Sequence, residues 1–212
     1  MKPQRLTREQ SKDQTRERLF EAAHATFIEK GYVAATVEDI TAAAGFTRGA
    51  FYSNFASKGE LLLELLHRDH EAMQAELQRI FDSGGTREQM ETGALIYYSQ
   101  YMRNHASFLL WVEAKLLASR DPEFRELFNA YATEKCAQMA QSITQFADKL
   151  GTELPLPAEV LALGLMSLCD GVQSNHMASP QFVTEEMVVA VLAGFFARVM
   201  LGRSPDAGSV QV

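Results

Sequence analysis

The chain has 212 residues, 47% of them hydrophobic, with only 13 Gly and 6 Pro, a composition that suits a globular helical protein and is far from that of a disordered one. No apolar run reaches the roughly eighteen residues of a membrane span, and the N-terminus, MKPQRLTREQSKDQTRER, lacks the apolar core of a signal peptide, so a cytoplasmic protein with no membrane partner is expected. The net charge of −7 is unevenly divided: residues 1–60 carry +1, residues 61–212 carry −8 and residues 1–18 carry +3. A basic arm on a nearly neutral segment can serve phosphates, although a solvated charged terminus would give the same count.

No stretch alternates with a period of two, and helical periodicity runs nearly throughout. The first helix is expected from about Thr7 to Lys30, with Leu19, Ala22, Ala23, Thr26 and Phe27 as its apolar stripe. Gly31 closes it in the left-handed role glycine takes after a helix. Thr36 is the N-cap of a short second helix, Val37 to Ala44, and Asp39 three residues on resembles the partner of a capping box. Gly45 stops that helix, and Thr47 caps a third that runs to about Asn54. Ser57-Lys58-Gly59-Glu60 repeats the cap pattern and opens a long fourth helix to about Phe81. Beyond a loop at 82–86, further helices are expected at about 87–104, 106–119, 122–150, 157–178 and 184–201, with Asp121-Pro122 as a cap followed by Pro in the first turn. The fold class is all-α, about nine helices.

Chemistry concentrates in TVEDITAAAGFTRGAFYSNFASKGEL, beginning at Thr36. Small Ala42, Ala43 and Ala44 let the second helix approach the third, and Gly45 allows a turn that a Cβ would strain. Phe51 and Phe55, four apart, can plug a small core, leaving Arg48, Gly49, Tyr52 and Ser53 facing outward. Thr47, Arg48 and Gly49 suit a DNA groove: Arg pairs with guanine, Thr touches a thymine methyl, and Gly permits close approach. Tyr52, Thr36 and Lys58 suit phosphate oxygens. Lys58 stands in the first turn of its helix, where the dipole disfavours a cation, so a backbone clamp is expected. The plainer readings are that Thr36, Thr47 and Ser57 are only caps, that Tyr52 is partly core and that Arg48 is a free surface charge.

These residues resemble the helix-turn-helix signature of the TetR/AcrR-type (tetracycline-repressor) family. The run GFTRGAFYSNFASKGEL, preceded by TVEDITAAA and by the first-helix segment RLFEAAHATFIEKGY, carries the resemblance across about residues 12–65. It implies a helix-turn-helix DNA-binding domain at 1–56 and a helical ligand-binding and dimerisation domain at 57–212. It also implies a homodimer on a roughly palindromic double-stranded operator, released by a small-molecule inducer. Carried over by position, Thr36, Thr47, Arg48, Gly49, Tyr52 and Lys58 are DNA contacts, with Ser53 and Asn54 beside them. Asn54 departs from the His often found there, and Gly59 from a more usual polar residue.

The remaining chain offers architecture and little chemistry. Small residues recur in the last two helices (Ala162, Gly164, Ser167 and Gly171; Ala190, Ala193, Gly194 and Ala197), with Leu161, Leu165, Leu168, Val189, Leu192, Phe195 and Phe196 between them. They suit either a four-helix interface between two chains or an intrachain core. Candidate ligand contacts are the aromatic Tyr97, Tyr98, Tyr101, Trp111 and Tyr131 and the polar Glu113, Lys115, Asp170, Asn175 and His176. Such aromatic stripes also make plain core. Cys136 and Cys169 lack metal-ligand spacing, so two reduced thiols are expected, a redox pair being the alternative. No metal or cofactor is expected. With no phosphate-cradling loop and no nucleophile elbow, the chain reads as a repressor released by a hydrophobic or amphipathic ligand, not as an enzyme. The alternatives are an adaptor sensing a protein partner or redox state, and an enzyme with a DNA-binding appendage; activation in place of repression also stays open.

Overall fold

The structure is a computed structural model and describes residues 7–196, with the side chains of Arg87, Glu91 and Tyr101 left outside the description. Among the described residues there are nine helices and no strand: α1 (Arg8–Lys30), α2 (Val37–Ala44), α3 (Arg48–Tyr52), α4 (Lys58–Ser83), α5 (Arg87–Met102), α6 (His105–Arg120), α7 (Pro122–Leu150), α8 (Ala158–Ala178) and α9 (Glu185–Phe195). The all-α expectation holds. The expected continuation of the last helix to 201, with Ala197, falls outside the described residues.

Local chemistry accounts for most of the boundaries. Thr7 caps α1 by accepting the Gln10 N–H, and Gln10 reaches back to the Thr7 N–H. Thr36 and Asp39 form the same reciprocal box on α2, which satisfies donors that would otherwise be orphaned at the helix start. Gly45 ends α2 at φ 72, ψ 33, a left-handed conformation that needs glycine. Thr47 accepts the Ala50 N–H to start α3. At α4 the Ser57 hydroxyl accepts the Glu60 N–H while the Glu60 carboxylate accepts from Ala56. Asp121 accepts the N–H groups of Glu123 and Phe124, with Pro122 between, as expected for α7.

The chain divides into two compact units: residues up to Asp69 with Ala106–Asn129, and His70–His105 with the chain from Ala130. The boundary falls inside α4 and inside α7. The first unit is built on Leu19, Phe27, Ile40, Phe51, Phe55 and Leu61, each at most 2% exposed. Phe51 and Phe55 pack with ring centroids 5.7 Å apart, as their spacing predicts. Truncating a ring so enclosed costs about 3–5 kcal/mol. Around this core Arg16 of α1 pairs with Glu64 of α4, and Arg68 pairs with Glu17 at 2.7 Å while lying over the Phe20 ring. The second unit's core joins Leu77, Phe81, Tyr98, Met139, Phe146, Leu165 and Leu192.

One expectation about α2 is corrected. Of the three alanines only Ala44 is buried; Ala42 and Ala43 face outward, because residues one and two apart on a helix cannot share a face. In the arm, Arg16 lies over the Phe55 ring, and the exposed Arg18 lies over the Phe46 ring. Lys2 and Arg5 lie outside the described residues.

Candidate nucleic-acid interface

The first unit presents Thr36, Thr47, Arg48, Gly49, Tyr52 and Ser53 at its surface, all exposed. The order follows from α3's short length. Phe51 points to the core and is fully buried, so Tyr52 and Ser53, one and two residues on, face away from it, and Arg48 and Gly49 at the exposed start of α3 are open to solvent as well. Tyr52 is 50% exposed and meets the Phe51 ring edge-on at 5.3 Å, and its hydroxyl accepts from the Arg48 guanidinium at 3.5 Å. The Arg48 guanidinium pairs with Glu38 at 2.7 Å and lies 5.6 Å from the Tyr52 ring centroid. Lys30 pairs with Asp39 at 2.8 Å. Arg48 and Lys30 thus each have an acidic partner on α2.

Gly49 is the informative position. Its φ is ordinary for a helix, and an added Cβ would come no closer than 3.7 Å to anything, the nearest atom being Thr47 Oγ1. Nothing in the chain's own packing requires glycine there. Gly59 is the opposite case. A Cβ at Gly59 would sit 3.0 Å from the Phe124 ring, which explains why it departs from a polar residue: the first turn of α4 must admit that ring.

Two expected contacts point elsewhere. The Lys58 ammonium donates to the carbonyls of Tyr32 (2.5 Å) and Ala35 (2.6 Å) and lies 4.2 Å from the Tyr32 ring centroid. Half-buried, it is pushed below its usual pKa by desolvation, with the Glu113 carboxylate opposing that shift. Lys58 ties down the turn between α1 and α2, and its unfavourable place in the α4 dipole is offset by two carbonyls of that turn. Asn54 likewise turns back. Its amide donates to the Ala50 carbonyl at 2.7 Å, where the Ser53 hydroxyl also donates at 2.9 Å.

The candidate ligand residues are scattered. Trp111, packed on Phe128 at 5.2 Å, and Glu113, whose carboxylate oxygen would lie 3.0 Å from a Cβ on Gly31, belong to the first unit. In the second unit Tyr97 is buried with its hydroxyl donating to the Met73 carbonyl at 3.0 Å, and Tyr131 is buried edge-on to His70. Asn175 is exposed, and the Tyr101 side chain lies outside the described residues. Asp170 and His176 do line cavities. Asp170 shares one with Lys135, Tyr98 and Cys169, and His176 shares another with Arg103 and Gln173. A third lies among Phe81, Phe146 and Tyr98.

Residues 19–65 match the family described as bacterial regulatory proteins, tetR family, and residues 86–201 match the C-terminal region of BetI-type transcriptional repressors. The chain belongs to the TetR family. One relative, the HTH-type transcriptional repressor AcnR of Corynebacterium efficiens, is 27% identical over 165 residues, covering 76% of this chain and 81% of its own. The fold is shared with a TetR-family transcriptional regulator from Rhodococcus sp. (TM-score 0.72, 19% identity, 89% of this chain and 99% of that one). It is also shared with the transcriptional regulator FadR of Bacillus subtilis, solved in complex with stearoyl-CoA (TM-score 0.66, 16% identity, 87% and 97%). This TetR-family protein is thus a DNA-binding transcriptional regulator, of a family of regulators and not of enzymes.

Within this TetR-family chain, Lys135 was missed in the sequence although a signal for it existed. The buried stripe of α7 runs Phe124, Phe128, Tyr131, Lys135, Met139, Phe146, and a lysine inside an apolar helical stripe is the anomaly to look for. Among the described residues no helix is long and apolar enough to cross a membrane, and no cluster of three or more His, Cys, Asp or Glu could hold a metal. The two cysteines are free, and burial pushes the Cys169 thiol up to about 12.

Proposed function

We propose that the protein is a repressor that binds a roughly palindromic operator as a homodimer and leaves it when a small hydrophobic or amphipathic molecule occupies the second unit. DNA reading is assigned to residues 1–56, and ligand binding and dimerisation to residues 57–212. Thr47, Arg48 and Gly49 face the groove; Thr36, Tyr52 and Ser53 contact the sugar-phosphate backbone. Lys58 and Asn54 act through the turn and the helix end that they hold. The observation that carries this reading is Gly49. A glycine beside an exposed arginine, where the chain itself has room for a side chain, serves an approach from outside.

The dimer is supported by α8 and α9. Each has a buried side and an exposed side. Leu161, Ala162, Leu165 and Leu192 face the core of their own unit, whereas Val160 and Leu163 are at least 50% exposed. A Cβ at Gly164, Gly171 or Gly194 would meet nothing within 4 Å, so close approach of a second chain is what would use those glycines. The redox alternative has little chemical support, because a buried thiol held protonated is a poor nucleophile.

The test is fluorescence anisotropy on the upstream intergenic DNA, titrated with salt and then with small molecules. Sequence-selective, salt-dependent binding that Arg48→Ala relaxes by ~1–3 kcal/mol of discrimination is expected if Arg48 reads a base. No selectivity over unrelated DNA would remove the repressor reading.

A further inference from the structure

We infer that Arg16, a cation of the basic arm whose side chain turns inward, is a positioning residue for DNA reading: it fixes the angle at which α3 presents Arg48 and Gly49. The inference rests on the reading that α3 faces the groove, and it adds a residue of α1 on which that reading depends.

The need for such a residue follows from the size of α3. The helix has five residues, barely one and a half turns, and buries Phe51 alone. One buried side chain holds so short a helix in place but leaves it free to rotate about that anchor. Such a rotation would carry Arg48 and Gly49 off the groove. At the N-terminal end Thr47 resists it by accepting the Ala50 N–H. The C-terminal end needs partners of its own, because the last carbonyls of a helix have no donor within it. The side chains of Ser53 and Asn54 both donate to the Ala50 carbonyl, and the Phe51 carbonyl accepts from the N–H groups of Asn54 and Phe55. The Asn54 carbonyl comes next, and it accepts from the Arg16 guanidinium.

Arg16 is itself held from three sides. Its Nη1 donates to Asn54, its Nη2 pairs with the Glu64 carboxylate of α4, and its guanidinium carbon lies 4.3 Å from the centroid of the buried Phe55 ring. Glu64 also meets Arg68 at 3.4 Å, and Arg68 pairs with Glu17 at 2.7 Å. Charges of opposite sign therefore alternate along a path that leaves α1 at Glu17, runs along α4 and returns to α1 at Arg16. The end of α3 is clamped to that path. A hydrogen bond from a cation is stronger than one between neutral groups, and the rigid fork of a guanidinium fixes direction as well as distance. The same contacts set Arg16 apart from a phosphate contact. Both of its terminal nitrogens are engaged inside the unit, and its side chain is 32% exposed.

The experiment is fluorescence anisotropy of the full chain, well below its melting temperature, on the upstream intergenic DNA and on unrelated DNA of equal length across a range of salt. Arg16→Met keeps an apolar stem on Phe55 and removes both donors. It should cut the preference for the upstream DNA about tenfold, the order of one misplaced base contact. Affinity for unrelated DNA and the slope against salt should stay as in the unaltered chain. Glu64→Gln removes the charge that orients the guanidinium and should lower the preference in the same direction, which keeps the test open if Arg16→Met does not fold. A lower melting temperature with an unchanged preference would mean that Arg16 serves stability alone, and would overturn the inference. An equal loss on both DNAs, with the salt slope reduced by about one, would overturn it too, since that is the mark of a phosphate contact. If the unaltered chain shows no preference, the repressor reading fails by itself, and the pose of α3 is then read without DNA from the Gly49 amide resonance. That resonance should move in both variants; a fixed one sinks the inference whatever the DNA result.

Discussion

Gly49 and Lys58 separate what a residue does for the fold from what it does for DNA. Glycine inside a helix costs about 1 kcal/mol relative to alanine, and here there is room for the methyl group. Gly49→Ala should therefore leave the melting temperature unchanged or raise it, while weakening operator binding; a variant that melts lower would mean the glycine serves the fold. Lys58 makes the complementary case. Because its ammonium holds the carbonyls of Tyr32 and Ala35, Lys58→Ala should lower thermal stability by about 1.5–3 kcal/mol, the range for hydrogen bonds to a charged group. It should weaken all DNA binding without changing the slope of affinity against salt. A slope reduced by about one would mean that the ammonium is neutralising a phosphate after all.

At the level of elements, the start of α2 carries a pH dependence. Asp39 is held at about 2, below its ordinary 3.8, chiefly by the hydrogen bond from Lys30 and then by those from Thr36. A carboxyl depressed in the folded state contributes stability above its unfolded pKa and loses it as pH falls through the folded one. The cap should therefore weaken between about pH 4 and pH 2, and Asp39→Asn should flatten that part of a melting-temperature profile. An unchanged acid limb would place the loss elsewhere. These caps also explain why the first half of the chain was legible. Thr36-Asp39, Thr47 and Ser57-Glu60 are local signals, so α2 was readable to the residue and α1 and α4 nearly so. The partners of Lys58, at Tyr32 and Ala35, are more than twenty residues away, and no spacing rule reaches them. The same limit applied to Trp111 and Glu113. Their polar-aromatic neighbourhood suggested a pocket, but they belong to the unit that carries α1–α3.

On the scale of the whole molecule, the small residues of α8 and α9 could not be sorted from the sequence, because inward and outward positions alternate within each turn. Placed on helices, they fall into a buried face and a face where glycines meet open space. Gly171→Leu should therefore leave the helical circular dichroism intact while shifting sedimentation from dimer toward monomer. A dimer of unchanged strength would relocate the interface. A dimer would bring two copies of the Arg48–Glu38 pair to the operator, and that pair has a consequence for occupancy. Each guanidinium already has a partner 2.7 Å away, so docking is an exchange reaction in which an internal competitor must let go. The competitor is displaced equally by a correct and an incorrect site. It therefore cancels from the ranking of sequences while subtracting from every affinity. A regulator built this way keeps its selectivity yet sheds stray DNA quickly, and leaves its own operator within reach of a modest inducing signal.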